Sequence, residues 1–79
     1  MLTITVYTKP SCPQCVATKR TLTKLGVPHT VVDVSQSPEG RAAVQALGYQ
    51  AAPVVVAGDE HWAGFRPDRL RALASPQAA

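Results

Sequence analysis

The residue types that could carry chemistry stand close together near the start of the chain. Its two cysteines, Cys12 and Cys15, are separated by two residues. In a helix, side chains at positions i and i+3 lie on one face, close enough to form a disulfide. The pair could therefore be a structural disulfide, part of a metal site, or a redox centre that opens and closes.

The redox interpretation fits the residue types best. A structural disulfide that closes so short a loop restricts the unfolded chain little. A zinc or iron–sulfur site needs about four ligands, and only His29 and His61 could complete a set, at a spacing unlike that of a zinc finger. A metal or iron–sulfur module, with a cluster shared between two chains, stays the alternative from another class of protein. C-x-x-C in a βαβ context favours thiol–disulfide exchange.

The pattern along the chain predicts an α/β fold with the element order β-α-β-α-β-β-α. A strand, a helix and a strand in sequence imply a parallel pair of strands with a right-handed crossover. The hairpin adds antiparallel strands, so we expect a four-stranded mixed sheet with helices on both faces. The second strand is nearly continuous in apolar character, which predicts burial on both of its faces. The expected strands are Thr3–Tyr7, Thr30–Val34, Val54–Ala57 and Glu60–Ala63, and the expected helices start at Pro13, Pro38 and Pro67.

Helix signals place the cysteines. Proline suits the first helical position, so Pro13 begins the first helix and Cys12 becomes its N-cap. Unpaired backbone N–H groups and the helix dipole favour an anion there, and Lys9 adds a positive charge. These effects predict a lowered pKa for the Cys12 thiol. Cys12 is then the nucleophile and Cys15 the resolving thiol, with Pro13 and Gln14 setting the local geometry.

Composition limits the other possibilities. The chain has 79 residues, enough for one domain over 1–79, with a net charge of +3. Its cations are scattered and its few aromatic residues are not interleaved with them, which argues against nucleic acid and favours a solvated basic face or an acidic protein partner. No apolar run approaches the length of a membrane span and the N-terminus lacks the segments of a signal peptide, so we expect a cytoplasmic protein that does not contact a membrane. We also expect a monomer. Residues 75–79 are expected to form a flexible tail.

The active-site segment resembles a known family. Val6-Tyr7-Thr8-Lys9-Pro10 followed by Cys12-Pro13-Gln14-Cys15 is similar to the active-site strand and helix of glutaredoxins. Thioredoxin itself carries a tryptophan where this chain has Ser11. Ala52-Pro53, before a valine-rich strand, resembles the cis-proline position of the thioredoxin fold. This resemblance implies that Pro53 lies against the cysteine pair and that the backbone of Ala52 pairs with an extended substrate; an ordinary trans proline is the alternative.

A second segment narrows the resemblance. Trp62-Ala63-Gly64-Phe65-Arg66-Pro67-Asp68 resembles the W-S-G-F-R-P-D signature of the NrdH-redoxins, with Ala63 in place of serine. The resemblance implies reduction by thioredoxin reductase and NADPH, electron delivery to class Ib ribonucleotide reductase, and no bound cofactor. Trp62, Gly64, Phe65 and Arg66 are candidate partner-binding residues, because aromatic and arginine side chains are favoured in interfaces. Trp62 covering the sheet and Arg66 in solvent are the alternatives.

A glutathione-dependent glutaredoxin is the remaining alternative within the same chemistry. Glutaredoxins of the CPYC type have an aromatic residue at the position of Gln14 and a Gly-Gly…Asp element that caps the glutathione carboxylate. Here Ala63-Gly64 replaces the glycine pair, and three residues separate Gly64 from Asp68. These departures predict weak glutathione binding.

Overall fold

A computed structural model describes residues 3–74 of the chain. The element order is the predicted one, with boundaries shifted by one residue in places. The expected tail over 75–79 lies outside the described residues. The elements are β1 Ile4–Thr8, α1 Pro13–Lys24, β2 Thr30–Asp33, α2 Pro38–Ala46, β3 Val54–Ala57, β4 Glu60–Ala63 and α3 Pro67–Ala74.

The four strands form one mixed sheet in the order β2-β1-β3-β4. Strand β1 pairs in parallel with β2 and antiparallel with β3, and β3 pairs antiparallel with β4. A two-residue turn of Gly58 and Asp59 joins β3 to β4, and Gly58 adopts a φ of 62°, as the glycine-first hairpin predicts. The active-site segment after β1 therefore leaves the centre of the sheet.

Helices cover both faces of this sheet. Paired residues share a face and neighbours along a strand alternate, so Val6 and Val55 face one side and Val32 faces the other. The core contains Val6, Val55, Leu22 of α1 and Leu70 of α3, so α1 and α3 cover the first side. On the second side, Gly40 of α2 is buried in contact with the side chain of Val32.

The predicted burial of the second strand on both faces is wrong. Strand β2 is an edge strand, and Val31 is 45% exposed although it sits among apolar neighbours. A continuous valine run reports a preference for the strand conformation, whereas burial depends on what packs on each face. Val31 lies on the same face of the sheet as Val6, the face that α1 and α3 cover, but at this edge the helices leave its side chain exposed.

Candidate redox site

Cys12 caps the first turn of α1. It has extended φ and ψ angles of −118° and 100°, and its Sγ accepts a hydrogen bond of 3.1 Å from the backbone N–H of Cys15. Pro13 follows at the start of the helix, where its missing N–H leaves no bond unmade. The sulfur therefore already occupies the place that the capping argument assigned to it.

The turn into this cap requires an unusual backbone conformation. Ser11 has a φ of 57°, which lies in the left-handed region that residues other than glycine rarely adopt. This conformation lowers the stability of the folded chain by on the order of 1–2 kcal/mol per residue. Ser11 lies in the turn between β1 and α1, directly before the N-cap residue Cys12.

The two cysteines are joined by a disulfide, and their Cα atoms are 5.2 Å apart. They differ in access to solvent: Cys12 is 8% exposed and Cys15 is 1% exposed. An incoming disulfide can therefore approach the sulfur of Cys12 more easily than that of Cys15. This difference supports the predicted division into an attacking and a resolving cysteine.

A cleft of about 560 Å³ opens over the pair, and we call it the dithiol cleft. Besides the cysteines it is lined by Lys9, Val16 and Lys19, together with Pro10, Ser11 and Pro13. Lys9 was expected there. Lys19 and the 47% exposed Val16 were not, although Lys19 stands four residues after Cys15, at the spacing of one helix face. The cleft thus offers two cations and an apolar contact.

The second half of the site is the segment around Pro53. The Ala52–Pro53 peptide bond is cis, so the resemblance to the cis-proline position holds and the trans alternative is excluded. Pro53 is buried, and its carbonyl oxygen accepts a hydrogen bond of 2.8 Å from the backbone N–H of Gly64. Pairing of Val54 with Ala63 continues this contact. The signature loop therefore lies beside Pro53.

Gln14 connects the two halves. A methyl group added at Gly64 would lie 3.7 Å from Oε1 of Gln14, an ordinary van der Waals distance. The residue between the cysteines and the glycine of the signature loop are therefore neighbours, although 50 positions separate 14 from 64. This closeness could not be read from the sequence pattern.

The remaining loop residues are placed differently from one another. Trp62 is 5% exposed and belongs to the core, which favours the interpretation that its ring covers the sheet. Phe65 is partly buried against the same core. Arg66 is exposed and pairs with Asp68 at 3.3 Å. Of these three side chains, that of Arg66 is the most exposed and the most accessible to a partner.

Arg69 is a residue that the sequence reasoning missed. Its guanidinium lies over the Trp62 ring, 5.2 Å from the centroid, and pairs with Glu60 at 3.6 Å. Its position seven residues after Trp62, across a turn, gave no signal of this contact. The cation–π contact and the ion pair together hold α3 against β4.

The pKa values of two carboxylates, Asp33 and Asp68, are lowered. The hydrogen bond from Arg66 lowers the pKa of Asp68 below its ordinary value of 3.8. Hydrogen bonds from the Ser35 hydroxyl and backbone lower the pKa of Asp33, and the charge of Lys19 adds to this effect. Both acids therefore stay ionised to a lower pH than usual.

The two histidines lie apart. The Nδ1–H group of His29, just before β2, donates to the carbonyl of Val27 at 2.8 Å. In β4, Nδ1 of His61 is 2.7 Å from the Tyr49 hydroxyl. Across residues 3–74, no group of three or more His, Cys, Asp or Glu side chains is placed to hold a metal ion. In the same part of the chain no helix is long and apolar enough to cross a membrane.

Comparison with known proteins agrees with this geometry. The glutaredoxin family model matches residues 4–62. The glutaredoxin-like protein NrdH of Escherichia coli K12 is 44% identical over 77 residues, which cover 96% of this chain and 95% of that protein. NrdH of Lactococcus lactis subsp. cremoris is 35% identical over 71 residues, covering 90% of this chain and 99% of its own.

Solved structures show the same relationship. The NrdH-redoxin of Escherichia coli superposes with a TM-score of 0.86 at 44% identity, covering 92% of this chain and 95% of that one. A glutaredoxin from Archaeoglobus fulgidus superposes with a TM-score of 0.77 at 27% identity, covering 96% and 89%. With its C-x-x-C pair at the cap of α1, the chain belongs to the glutaredoxin family as an NrdH-type glutaredoxin-like protein, and it is a thiol–disulfide oxidoreductase.

Proposed function

We propose that this protein carries electrons from NADPH, through thioredoxin reductase, to class Ib ribonucleotide reductase. The observation that carries the proposal is the closeness of Gln14 to Gly64: a methyl group added at Gly64 would lie 3.7 Å from Oε1 of Gln14, so this part of the Trp62–Asp68 signature loop lies beside the dithiol helix. A loop in that place can contact any protein whose disulfide reaches Cys12. The full-length likeness to NrdH proteins supports the same route.

The reaction begins with the reduced protein. The Cys12 thiolate attacks one sulfur of the target disulfide, forms a mixed disulfide and releases the other sulfur as a thiolate, which takes up a proton. Cys15 then loses its proton and attacks Cys12, and the second target thiol leaves. Two electrons pass to the target, and the protein is left with the Cys12–Cys15 disulfide. NADPH restores the dithiol through the reductase.

The site residues assist these steps in distinct ways. The backbone N–H of Cys15 lies 3.1 Å from the Cys12 sulfur and stabilises negative charge there. Lys9 and Lys19 add positive charge to the cleft where the thiolate forms. By the family resemblance, Pro53 lies against the cysteine pair and the backbone of Ala52 pairs with an extended substrate segment. Burial of Cys15 delays its reaction until the mixed disulfide has formed.

The surroundings of the dithiol favour thioredoxin reductase over glutathione. Gln14 stands in place of an aromatic residue, and Asp68, which would cap a glutathione carboxylate in a Gly-Gly…Asp element, is paired with Arg66. The Escherichia coli relative, a glutaredoxin-like protein, has a thioredoxin-like activity profile. This combination supports a glutaredoxin-type sequence that serves a thioredoxin-type circuit.

The test compares two reducing systems. NADPH consumption is followed with insulin as the disulfide substrate, with thioredoxin reductase in one arm and glutathione plus glutathione reductase in the other. The proposal predicts turnover with thioredoxin reductase and little with glutathione. Turnover with glutathione alone would identify a true glutaredoxin and refute the proposed route.

A second assay tests the acceptor. Class Ib ribonucleotide reductase is supplied with NADPH, thioredoxin reductase and this protein as the sole dithiol carrier, and deoxyribonucleotide formation is measured. We expect product with the native protein and none with Cys12→Ser. Insulin reduction without deoxyribonucleotide formation would retain the reductase partner and exclude the acceptor.

A further inference from the structure

A second cleft lies beside the dithiol cleft, and the redox steps above give no role to the side chains of α2 that line it. It has a volume of about 530 Å³ and lies between α2 and the segment 48–52, so we call it the α2 cleft. Its lining contains two cations, Lys9 and Arg41, and no carboxylate. Gln45 and Gln50 add side-chain amides. A cleft with this lining matches a ligand that carries negative charge.

Contacts within the protein define the walls of the α2 cleft. The guanidinium of Arg41 donates to the carbonyl of Val34 at 3.5 Å, at the end of β2. Tyr49 is tied to α2 by its backbone N–H, which donates to the Val44 carbonyl at 3.2 Å. The Tyr49 hydroxyl is 2.7 Å from His61 in β4. The wall formed by Tyr49 is therefore anchored to both a helix and the sheet.

The α2 cleft is continuous with the place where a substrate must lie. Lys9 lines both it and the dithiol cleft, and Ala52 lines it immediately before Pro53. A polypeptide whose cysteine is bonded to Cys12 and whose backbone lies along Ala52 therefore passes Lys9 and enters the α2 cleft. Residues of the substrate adjacent to its reactive cysteine would meet Arg41.

We propose that the α2 cleft binds an acidic segment of the protein substrate, adjacent in sequence to the reactive disulfide, and that Arg41 determines this preference. The proposal rests on the proposed function in taking a protein disulfide as the substrate. Arg41 and Lys9 attract the carboxylates, while Gln45 and Gln50 can donate to and accept from the backbone of an extended segment. Charge attraction of this kind mainly speeds encounter with the correct partner.

The experiment uses the full chain, reduced beforehand and freed of reductant. Two peptides each contain one intramolecular disulfide and differ only in the residues beside it, which are aspartates in one and asparagines in the other. In a single turnover, the protein dithiol becomes the Cys12–Cys15 disulfide and the peptide disulfide becomes a dithiol, so no reductase is needed. Chromatography of the peptide gives the second-order rate constant.

We expect the native protein to reduce the aspartate peptide roughly three- to tenfold faster than the asparagine peptide at low salt. This ratio should approach one at about 0.5 M salt, because screening shortens the reach of the charges. Arg41→Gln should lower the ratio at low salt. Arg20→Gln is the matched control, since it removes the same charge from an exposed position of α1 outside the lining of the cleft.

Three results would overturn the inference. Equal rates for the two peptides with the native protein would show that the cleft has no preference for acid. An equal decrease of the rate ratio in Arg20→Gln and Arg41→Gln would show that the preference for the aspartate peptide comes from the net charge of the protein alone. Competition by millimolar S-methylglutathione, which has no free thiol and cannot reduce either disulfide, would assign the cleft to that tripeptide rather than to a protein segment.

Binding without chemistry separates this inference from the proposed function. The same two peptides, with both cysteines replaced by serine, carry a fluorescent label, and their binding is followed by fluorescence anisotropy. Tighter binding of the aspartate peptide, lost in Arg41→Gln, supports the cleft even if thioredoxin reductase proves to be the wrong reductant. Equal and weak binding of both peptides refutes the cleft even if the electron route is correct.

Discussion

Gly64 donates its backbone N–H to the carbonyl oxygen of Pro53 at 2.8 Å. The same glycine is close to Gln14, the residue between the two cysteines, because a methyl group added at Gly64 would come within 3.7 Å of the Gln14 side chain. A single residue of the signature loop is therefore bonded to Pro53 and close to the dithiol helix. Its φ of 87° lies in the left-handed region, which explains why glycine is suited to the position.

Replacing this glycine tests the link between loop and dithiol. Gly64→Ala should lower the free energy of unfolding by about 1–2 kcal/mol, because alanine is strained at a positive φ. It should also lower kcat/KM with thioredoxin reductase, because relief of the strained φ shifts the signature loop relative to Pro53 and Gln14. Urea unfolding and NADPH consumption measure the two effects.

Gly26→Ala is the control for that variant. Gly26 has a φ of 74°, with no atom within 4 Å of an added methyl group. We expect a similar loss of stability and unchanged turnover. An equal loss of turnover in both variants would mean that Gly64 acts through stability alone.

The order of the two sulfurs in the reaction can be tested by trapping. Cys15→Ser should accumulate a mixed disulfide between Cys12 and the substrate, because the resolving thiol is missing. Cys12→Ser should abolish turnover and form no adduct, since the 1% exposed Cys15 is shielded from the substrate. Non-reducing electrophoresis and mass spectrometry identify the adduct, and the roles would be reversed if Cys12→Ser were the variant that traps it.

The ion pair of Arg66 and Asp68 should affect the pKa of the Asp68 carboxyl group. Arg66→Gln should move the pKa of Asp68 up towards its ordinary value of 3.8, because the largest lowering cause is the Arg66 hydrogen bond. Carbon-13 NMR of the side-chain carboxyl measures this change. Asp33, whose pKa is lowered chiefly by Ser35, provides an internal control and should titrate as before.

The sign of the stability effect follows from the direction of that shift. Because folding lowers the pKa of Asp68, the pair stabilises the folded state fully above the unfolded-state value. Its contribution is lost as the pH falls through the lower folded-state value. The stability difference between the native protein and Asp68→Asn should therefore be constant above about pH 5 and shrink below 3.8. A difference that grows on acidification would refute the assignment.

The close packing of α2 on β2 at Gly40 leaves no room for a larger side chain there. A methyl group at Gly40 would lie 2.7 Å from Cγ1 of Val32, closer than such atoms approach. Gly40→Ala should lower the free energy of unfolding by about 1–3 kcal/mol from overpacking, reduced by up to about 1 kcal/mol of improved helix propensity. Adding Val32→Ala should recover part of the loss, and Gln45→Ala on the exposed face is the control. Stabilisation by Gly40→Ala would show that the helix moves freely.

The order of the elements and the position of the redox-active cysteines can be read from the sequence. Pro13, Pro38 and Pro67 each begin a helix, and the capping position of Cys12 follows from local rules on orphan N–H groups. The cysteine spacing and the hairpin turn are equally local. Features that depend on a few neighbouring residues are encoded where they occur, so they can be read without the fold.

Which surfaces of these elements are buried against one another depends on how the chain packs. Val31 is exposed because β2 is an edge strand, Trp62 is buried because α3 and the sheet enclose it, and neither outcome follows from residue type. The approach of Gln14 to Gly64 and the joining of two clefts at Lys9 depend on sheet order and helix packing. Such contacts join positions far apart in the chain, so local periodicity carries no information about them.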